Sequence, residues 1–447
     1  MVVVVIGAGI AGLFVAGELA KSQRVLLLES RSNVGGRCRT RYTRDGTRVL
    51  YETGPWRLHE NHVKLKRLLH DAGLETILST PAKEEDEPEL PATTGDLSSW
   101  DATAMEKGAD AARSADILSG YEGFLDATNV VNVYHAQRHM AGQYFAIRTG
   151  FSSLVDALKR RALERGCEIR NKCRVIDVRK SKTAYRVACS DGRTVSATTV
   201  VCCLPPHFAK QWTVSQRWML AQLNSIGSMQ LAHVYAKSNA PPASKSITRG
   251  LLAQTVPGDF QNGWFQASYS AGRTALFWHR MAMRGELKRM VEKELGFNVA
   301  DVKSHFWPHA VHFWKPAYGL ETSVDTLVRR CIEPHPVQLP GMYWCGEAFS
   351  NTQGWVEGAL ETAEMTLRRI GDKSARIPRL PAGWKKTCVV VDGRVIDVRK
   401  FRKVHPGSEQ AIVPFLGKDA STVFRNIGHS ADAWAHLFSL QIGWKTT

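Results

Sequence analysis

The residues best suited to chemistry lie near the two ends of the chain. Close to the start, GAGIAG sets Gly7, Gly9 and Gly12 in a G-x-G-x-x-G spacing. The first glycine permits a tight turn, the second lets backbone approach a pyrophosphate, and the third lets a helix pack close to a strand. A helix opening here offers free N–H groups and partial positive charge to phosphate oxygens. Glu29 ends the next apolar run, RVLLLE, where a carboxylate can accept hydrogen bonds from ribose hydroxyls. Near the other end, His405 stands in VHPGS and His429 in IGHSA, each beside a turn-forming residue. A third set, His305, His309 and His312, lies in the aromatic stretch SHFWPHAVHFW. Residues three apart in a strand point to opposite faces, and no cysteine or carboxylate cluster joins these histidines. One of them serving as an active-site base is therefore a better reading than a metal site.

These residues need a frame. Residues 2–6 are a continuous β-branched run, the mark of a strand buried on both faces. The glycine turn then opens a helix with apolar positions at helical spacing, and RVLLL follows as a second buried strand, completing a β-α-β unit. Residues 84–102 are acidic, then rich in Pro, Thr, Gly and Ser, which predicts a surface loop. Residues 151–166 read as a helix with a serine cap and a terminal glycine. Several strands with a D-G turn follow, residues 354–370 make a last long helix, and SARIPRLPAGWKK reads as a linker to a compact stretch of about 60 residues.

Composition narrows the classes. With 447 residues, 44% of them hydrophobic, the chain can bury a sizeable core in two to four domains, which excludes wholesale disorder. The net charge of +17 favours acidic partners. The basic residues are scattered instead of forming a tail, and no specific nucleic-acid module is present. Nine cysteines without a C-x-x-C pair read as buried reduced thiols. No signal peptide or transmembrane segment is expected, which points to an intracellular, cytoplasmic protein.

Further residues join the glycine turn. ESRSNVGGRCRT carries Gly35, Gly36, Arg37 and Thr40. Here the chain resembles the flavin-containing amine oxidase superfamily, with its E-x(3)-R-x-G-G-R-x-x-T signature. YETGPWR, with Gly54, Trp56 and Arg57, sits where that family runs beside the flavin. GMYWCGEAFSNTQGWVEGALETAEM, residues 341–365, is similar to the family's last cofactor segment. The resemblance implies FAD as cofactor, Glu347 at its sugar or phosphate region, and Trp355 and Val356 at the start of a helix facing the ring. It also implies that the backbone at Val175 meets adenine. The implied fold class is α/β: an FAD-binding Rossmann-like domain (1–80, 151–225 and 335–372) with an inserted α+β substrate domain (81–150 and 226–334).

The resemblance carries expectations for the reaction as well. Many amine oxidases hold a water near the flavin with a lysine on a central strand; the matching position here is Leu231, beside Gln230, and Lys237 lies later. That departure fits a dehydrogenase that passes electrons on better than an oxidase that uses oxygen. Trp355 and Trp314 are the candidates for aromatic walls that hold a flat or cationic small-molecule substrate.

After the expected linker (373–385), residues 386–447 resemble the cytochrome b5 domain, a small α+β fold. The matching residues are Asp397, Val398, Phe401, His405, Pro406, Gly407, Asp419, Ala420, Phe424, Gly428, His429 and Ser430. The resemblance implies haem b with its iron between His405 and His429, walled by Ile412, Phe415, Leu416, Val423, Phe424 and Leu437. Two departures stand out: Ser408 replaces the second glycine of the His-Pro-Gly-Gly turn, and the family's first strand and helix shrink to PAGWKK. The local charge is basic, so a redox partner would be an acidic protein or the flavin domain itself. Three functions follow: an FAD-dependent oxidoreductase with a haem relay, an oxygen-using amine or polyamine oxidase with a non-redox tail, and a non-catalytic binding protein on a flavin fold.

Overall fold

The structure is a computed structural model that describes residues 2–79, 97–119, 121, 123–128, 133, 142–316, 324–372 and 380–445. Its centre is a parallel five-stranded sheet in the order Met342–Trp344, Thr199–Cys202, Val2–Ile6, Arg24–Leu28, Glu168–Arg170. The β-branched opening run explains its middle position. Val3 and Val5 face one core with Leu13, Leu154 and Leu360, whereas Val4 and Ile6 face another with Val178, Tyr185 and Val187. A strand apolar on both faces can only be buried on both. The first face is covered by helices Ile10–Leu19, Phe151–Glu164 and Val356–Gly371; the second by the antiparallel strands Val175–Lys180, Tyr185–Cys189 and Thr194–Ala197.

A second, antiparallel sheet runs Ser246–Ile247, Gln254–Val256, Trp264–Ala271, Ile226–Lys237, Asp301–Trp314. It is bolted to the first domain through the YETGPWR run. The Tyr235 hydroxyl donates to the Glu52 carbonyl, and the Trp307 indole N–H donates to the Thr53 carbonyl.

The C-terminal domain has its own sheet, Cys388–Val391, Arg394–Asp397 and Gln441–Trp444. Its hairpin turns at Asp392 and Gly393, whose φ angles of +52° and +76° are those the D-G sequence favours. This domain is docked, not tethered. Helix Ala431–Ser439 packs on helix Leu220–Asn224, and Leu437 and Phe438 join the same core as Leu223 and Val328. Arg394, 1% exposed, donates to Gln222 at 3.0 Å and lies over the Trp444 ring at 5.1 Å. Arg330 donates to the Phe438 carbonyl at 2.8 Å, and His335 bonds the Asp392 carbonyl at 2.5 Å.

Three expectations change. The loop reading of 84–102 fails at its end: Ser98 and Asp101 form a capping box that starts helix Ser99–Lys107, while residues 80–96 lie outside the described residues. The helix from Phe151 is not serine-capped. Its N-cap is Gly150, and the Glu52 carboxylate accepts the Phe151 N–H at 2.7 Å. The second half of the expected linker belongs to the last domain, where Leu380 and Trp384 pack on Cys388, Val390 and Val395. Trp384 thus covers a sheet face that the shortened sequence leaves without a helix.

Glu52 supports a prediction. Burial pushes its carboxyl up to about 8, against the hydrogen bonds from Phe151 and Thr40. Between the ordinary carboxylate range and about pH 8 the folded chain keeps a proton that the unfolded chain has lost, so stability falls as pH rises through that window. Glu52→Gln mimics the protonated form. Its Tm relative to the parent will rise by several degrees between pH 5 and pH 8.5, and an unchanged difference across that range would contradict the assignment.

Candidate cofactor and electron-transfer sites

The glycine turn closes as its spacing requires. Gly7 has φ +97°, and a Cβ on Gly12 would lie 1.9 Å from the Gly7 carbonyl oxygen. Gly9 is the N-cap of helix Ile10–Leu19 and carries no side chain over the helix end. Glu29 is buried at the end of the next strand and accepts the Ala8 N–H at 2.9 Å and the Arg31 N–H at 2.9 Å. Gly36, at φ +59°, brings its backbone against Gly9: an added Cβ would sit 3.3 Å from the Gly9 Cα. A Cβ on Gly54 would strike the Arg37 carbonyl at 1.8 Å. These contacts gather the predicted glycines around one loop, with Val175 heading the neighbouring strand Val175–Lys180.

Arg37 points at Glu347, with Nη2 2.7 Å from Oε2, and also donates to the Ala310 carbonyl. The Glu347 carboxylate is buried and further accepts the Gly354 N–H at 2.7 Å, the His312 N–H at 3.2 Å and His312 Nδ1 at 2.9 Å. Burial alone would push this carboxyl up; Arg37 and His312 outweigh it and hold it well below the usual carboxylate range. An ionised Glu347 fixes Nδ1 of His312 as the donor. His207, from the LPPH segment after Thr199–Cys202, stacks on His309 at 3.6 Å and runs within 12° of parallel to His312. Burial, then His309 and His312, push its imidazole down to about 3. His309 in turn bonds the Ser228 hydroxyl at 2.8 Å. His305 stands apart from this group, against Trp307 at 4.5 Å.

The aromatic candidates divide. Trp355 is the N-cap of helix Val356–Gly371 and stays partly exposed, edge-on to His62 at 4.8 Å and stacked with Tyr144 at 6.2 Å. Trp314 is corrected to a core residue: it is 1% exposed, and its indole N–H donates to the Ser350 carbonyl at 3.0 Å. Arg57 is likewise corrected, because Asp259 takes its guanidinium at 3.0 and 3.1 Å, leaving it a tie between the first domain and the second. Leu231 is buried on strand Ile226–Lys237 beside Trp307 and Ala271, and Gln230 bonds the Gly272 carbonyl. The sequence reading missed His207, whose one signal was its place just beyond a buried parallel strand, where open α/β sheets bind ligands. It also missed His62, which had no signal at all.

In the C-terminal domain both predicted ligands are held alike. His405 Nδ1 bonds the Ser408 carbonyl at 3.0 Å, and His429 Nδ1 bonds the Phe424 carbonyl at 2.8 Å. A carbonyl acceptor fixes Nδ1 as the N–H and leaves Nε2 a lone pair, the state a metal requires. Phe401 lies edge-on to His405 at 5.3 Å, and Phe424 stacks on His429 at 4.0 Å and 7°. Gly407 is required by the ring, since a Cβ would lie 2.9 Å from His405 Cε1. Around the two imidazoles Val404, Val413, Val423 and Ile427 stay 39–72% exposed. Ile412, Phe415, Leu416 and Phe424 line the apolar side, and Leu437 is buried deeper in the core. Exposed aliphatic side chains beside two lone-pair imidazoles fit a flat apolar group carrying a metal.

Ser408 holds φ +73° without being glycine. That costs about 1 kcal/mol or more. Ser408→Gly will therefore stabilise this domain by about 1 kcal/mol, partly offset by glycine's looser unfolded chain, and a lower denaturation midpoint would refute the strain.

Comparison with known proteins agrees with this geometry. Residues 10–102 and 118–370 match the flavin containing amine oxidoreductase family, and the chain belongs to it. Residues 382–445 match the cytochrome b5-like heme/steroid binding domain. Cytochrome B5 isoform D of Arabidopsis thaliana is 44% identical over 59 residues, 13% of this chain and 42% of that one. Human cytochrome b5 type B is 42% identical over 59 residues, 13% of this chain and 39% of its own length. The chain spans less than half the length of these relatives. The crystal structure of a candidate protoporphyrinogen oxidase from Exiguobacterium sp. 255-15 shares the fold, with a TM-score of 0.64 at 17% identity over 83% of this chain and 98% of that one.

The chain thus joins a flavin containing amine oxidoreductase region, which implies FAD, to a cytochrome b5-like domain, which implies haem. The buried Nδ1 of His207, Nε2 of His312 and indole N–H of Trp56 have no partner among the described residues. Unpaired buried polar atoms are costly, and these fit a cofactor as rich in hydroxyls and acceptors as FAD. Among the described residues, no helix is long and apolar enough to cross a membrane.

Proposed function

We propose that the protein oxidises an amine-like or other small substrate and passes the electrons to the haem of its own C-terminal domain, and from there to an acidic redox protein. Bound FAD supplies hydride acceptance and bound haem supplies one-electron transfer. The observation that carries the reading is the docking of the last domain: a fully buried Arg394 and a shared core suit two cofactors kept at a fixed separation.

The chain's own residues have distinct tasks in this scheme. The Gly7–Gly12 turn and the helix end behind it bind phosphate. Arg37 and Glu347 orient the cofactor's middle. The N-terminus of helix Val356–Gly371 stabilises negative charge developing next to it. Trp355, with Tyr144 and His62, walls the substrate side. His405 and His429 would hold the haem, and a haem held by two imidazoles would supply one-electron transfer in place of oxygen chemistry. Leu231 in a dry, aromatic surrounding supports electron transfer onward over oxygen use. Lys403 and Lys418, exposed on the C-terminal domain, suit an acidic partner.

The test is anaerobic photoreduction of the purified protein with rapid-mixing spectra. Flavin bleaching followed by a haem Soret shift at a rate independent of protein concentration is expected. Flavin reduction with a static haem spectrum, or stoichiometric peroxide release with amines, would replace this reading by the oxygen-using one.

A further inference from the structure

The loop behind Glu29 is unusually tied. Cys173 N–H donates to the Glu29 carbonyl at 2.8 Å, and Lys172 N–H, from a residue at φ +56°, donates to the Arg31 carbonyl at 2.9 Å. The Cys173 thiol meets that of Cys189, the last residue of strand Tyr185–Cys189, with 2.8 Å between the sulfurs. That is well inside the van der Waals separation of two sulfur atoms. Both residues are 2% exposed. Their chain segments are joined by Ser190 N–H donating to the Arg174 carbonyl at 2.8 Å.

A metal reading exists, because Asp191 brings a carboxylate within 4.8 Å of both sulfurs. Two observations weigh against it. Asp191 is held by Arg193 at 2.6 Å. Two thiolates at about 2.3 Å from a tetrahedral zinc would stand about 3.8 Å apart, farther than these sulfurs do. The separation suits a pair about to bond to each other.

We propose that Cys173 and Cys189 are an oxidation site that closes to a disulfide and staples the loop beneath Glu29, firming the grip on the ribose end of the cofactor. The grip rests on the FAD reading of Glu29; the cross-link does not. The oxidant is a peroxide. One thiolate attacks a peroxide oxygen, the O–O bond breaks, and one water leaves. The second thiol then attacks the oxidised sulfur, the S–S bond forms, and a second water leaves. Two thiols lose two electrons and two protons, and the peroxide is reduced to two waters. The reaction is slow, since burial and the neighbouring Cys173 thiol push Cys189 up to about 12. The exposed turn at residues 190–193 is the door that must open. Cys203 and Cys345, with sulfurs 3.3 Å apart just past the ends of two neighbouring parallel strands, serve as the internal comparison.

The experiment uses the full-length protein, treated with hydrogen peroxide, alkylated without reductant and mapped by mass spectrometry. Two of the nine cysteines should become protected, in one cross-linked peptide joining Cys173 to Cys189. Dithiothreitol should restore them, and Cys189→Ala should abolish the cross-link. The oxidised protein should release FAD more slowly in dilute urea and melt a few degrees higher. Nine alkylated thiols after peroxide, a cross-link at Cys203–Cys345 alone, or stoichiometric zinc that leaves with Cys189→Ala would each overturn the proposal. A cross-link in a protein that carries no flavin would instead count against the cofactor reading of Glu29.

Discussion

His405→Ala and His429→Ala will each purify with intact flavin and without a six-coordinate haem spectrum. The two rings are not held by the core: both are partly exposed, and each is fixed by one bond from Nδ1 to a carbonyl of its own turn. Their loss therefore removes ligation while leaving the docked face of helix Ala431–Ser439 untouched. Haem content measured as the pyridine complex will fall by at least about tenfold, since even supporting contacts to a ligand are worth 10–100-fold in affinity. His436 makes the control. It packs on Phe401 at 4.5 Å and is not one of the two proposed ligands, so His436→Leu should keep the bis-imidazole spectrum. Wild-type haem content in either alanine variant would end the assignment of the iron ligands.

How legible was this site in the sequence? Motifs that work through backbone shape were readable. Gly7, Gly12, Gly36 and Gly54 are dictated by close approach, and close approach leaves a spacing in the sequence. The two proposed haem ligands each stand beside a small turn, and at His405 the ring leaves no room for a side chain at Gly407. What was illegible depends on which strands meet. Arg57 reads as a cofactor cation until Asp259, 202 residues away, is placed against it. Trp314 reads as an open aromatic wall until the Ser350 carbonyl buries its indole. The histidine group needed the same information, since His207 follows a strand of one sheet and His309 and His312 lie on a strand of another. The docked interface was hidden for a further reason: Arg394 looks like one more surface cation in a chain of net charge +17.

Arg37→Met carries the second large effect, because it leaves Glu347 buried with its main counter-charge gone. Removing one partner of a buried pair costs about 3–5 kcal/mol, most of it the penalty of the charge left behind. The chain will lose FAD and become less stable, and both losses will shrink at acid pH. The sign follows from Glu347, whose carboxyl is held well below its ordinary range. Such a group contributes stability above the unfolded carboxylate pKa, and that contribution fades as pH falls through the folded value. Without Arg37 the contribution is largely absent, so the variant's melting temperature will depend less on pH between about 3 and 6 than the parent's does. A double variant, Arg37→Met with Glu347→Gln, separates the two roles. It removes the stranded charge while His312 and Gly354 keep a hydrogen-bond partner, so it should regain much of the lost stability. It should not regain FAD, since both polar groups that orient the cofactor's middle are then altered. Recovery of FAD together with stability would mean that the pair is structural alone, and that the cofactor is held by the glycine turn and Glu29 without it.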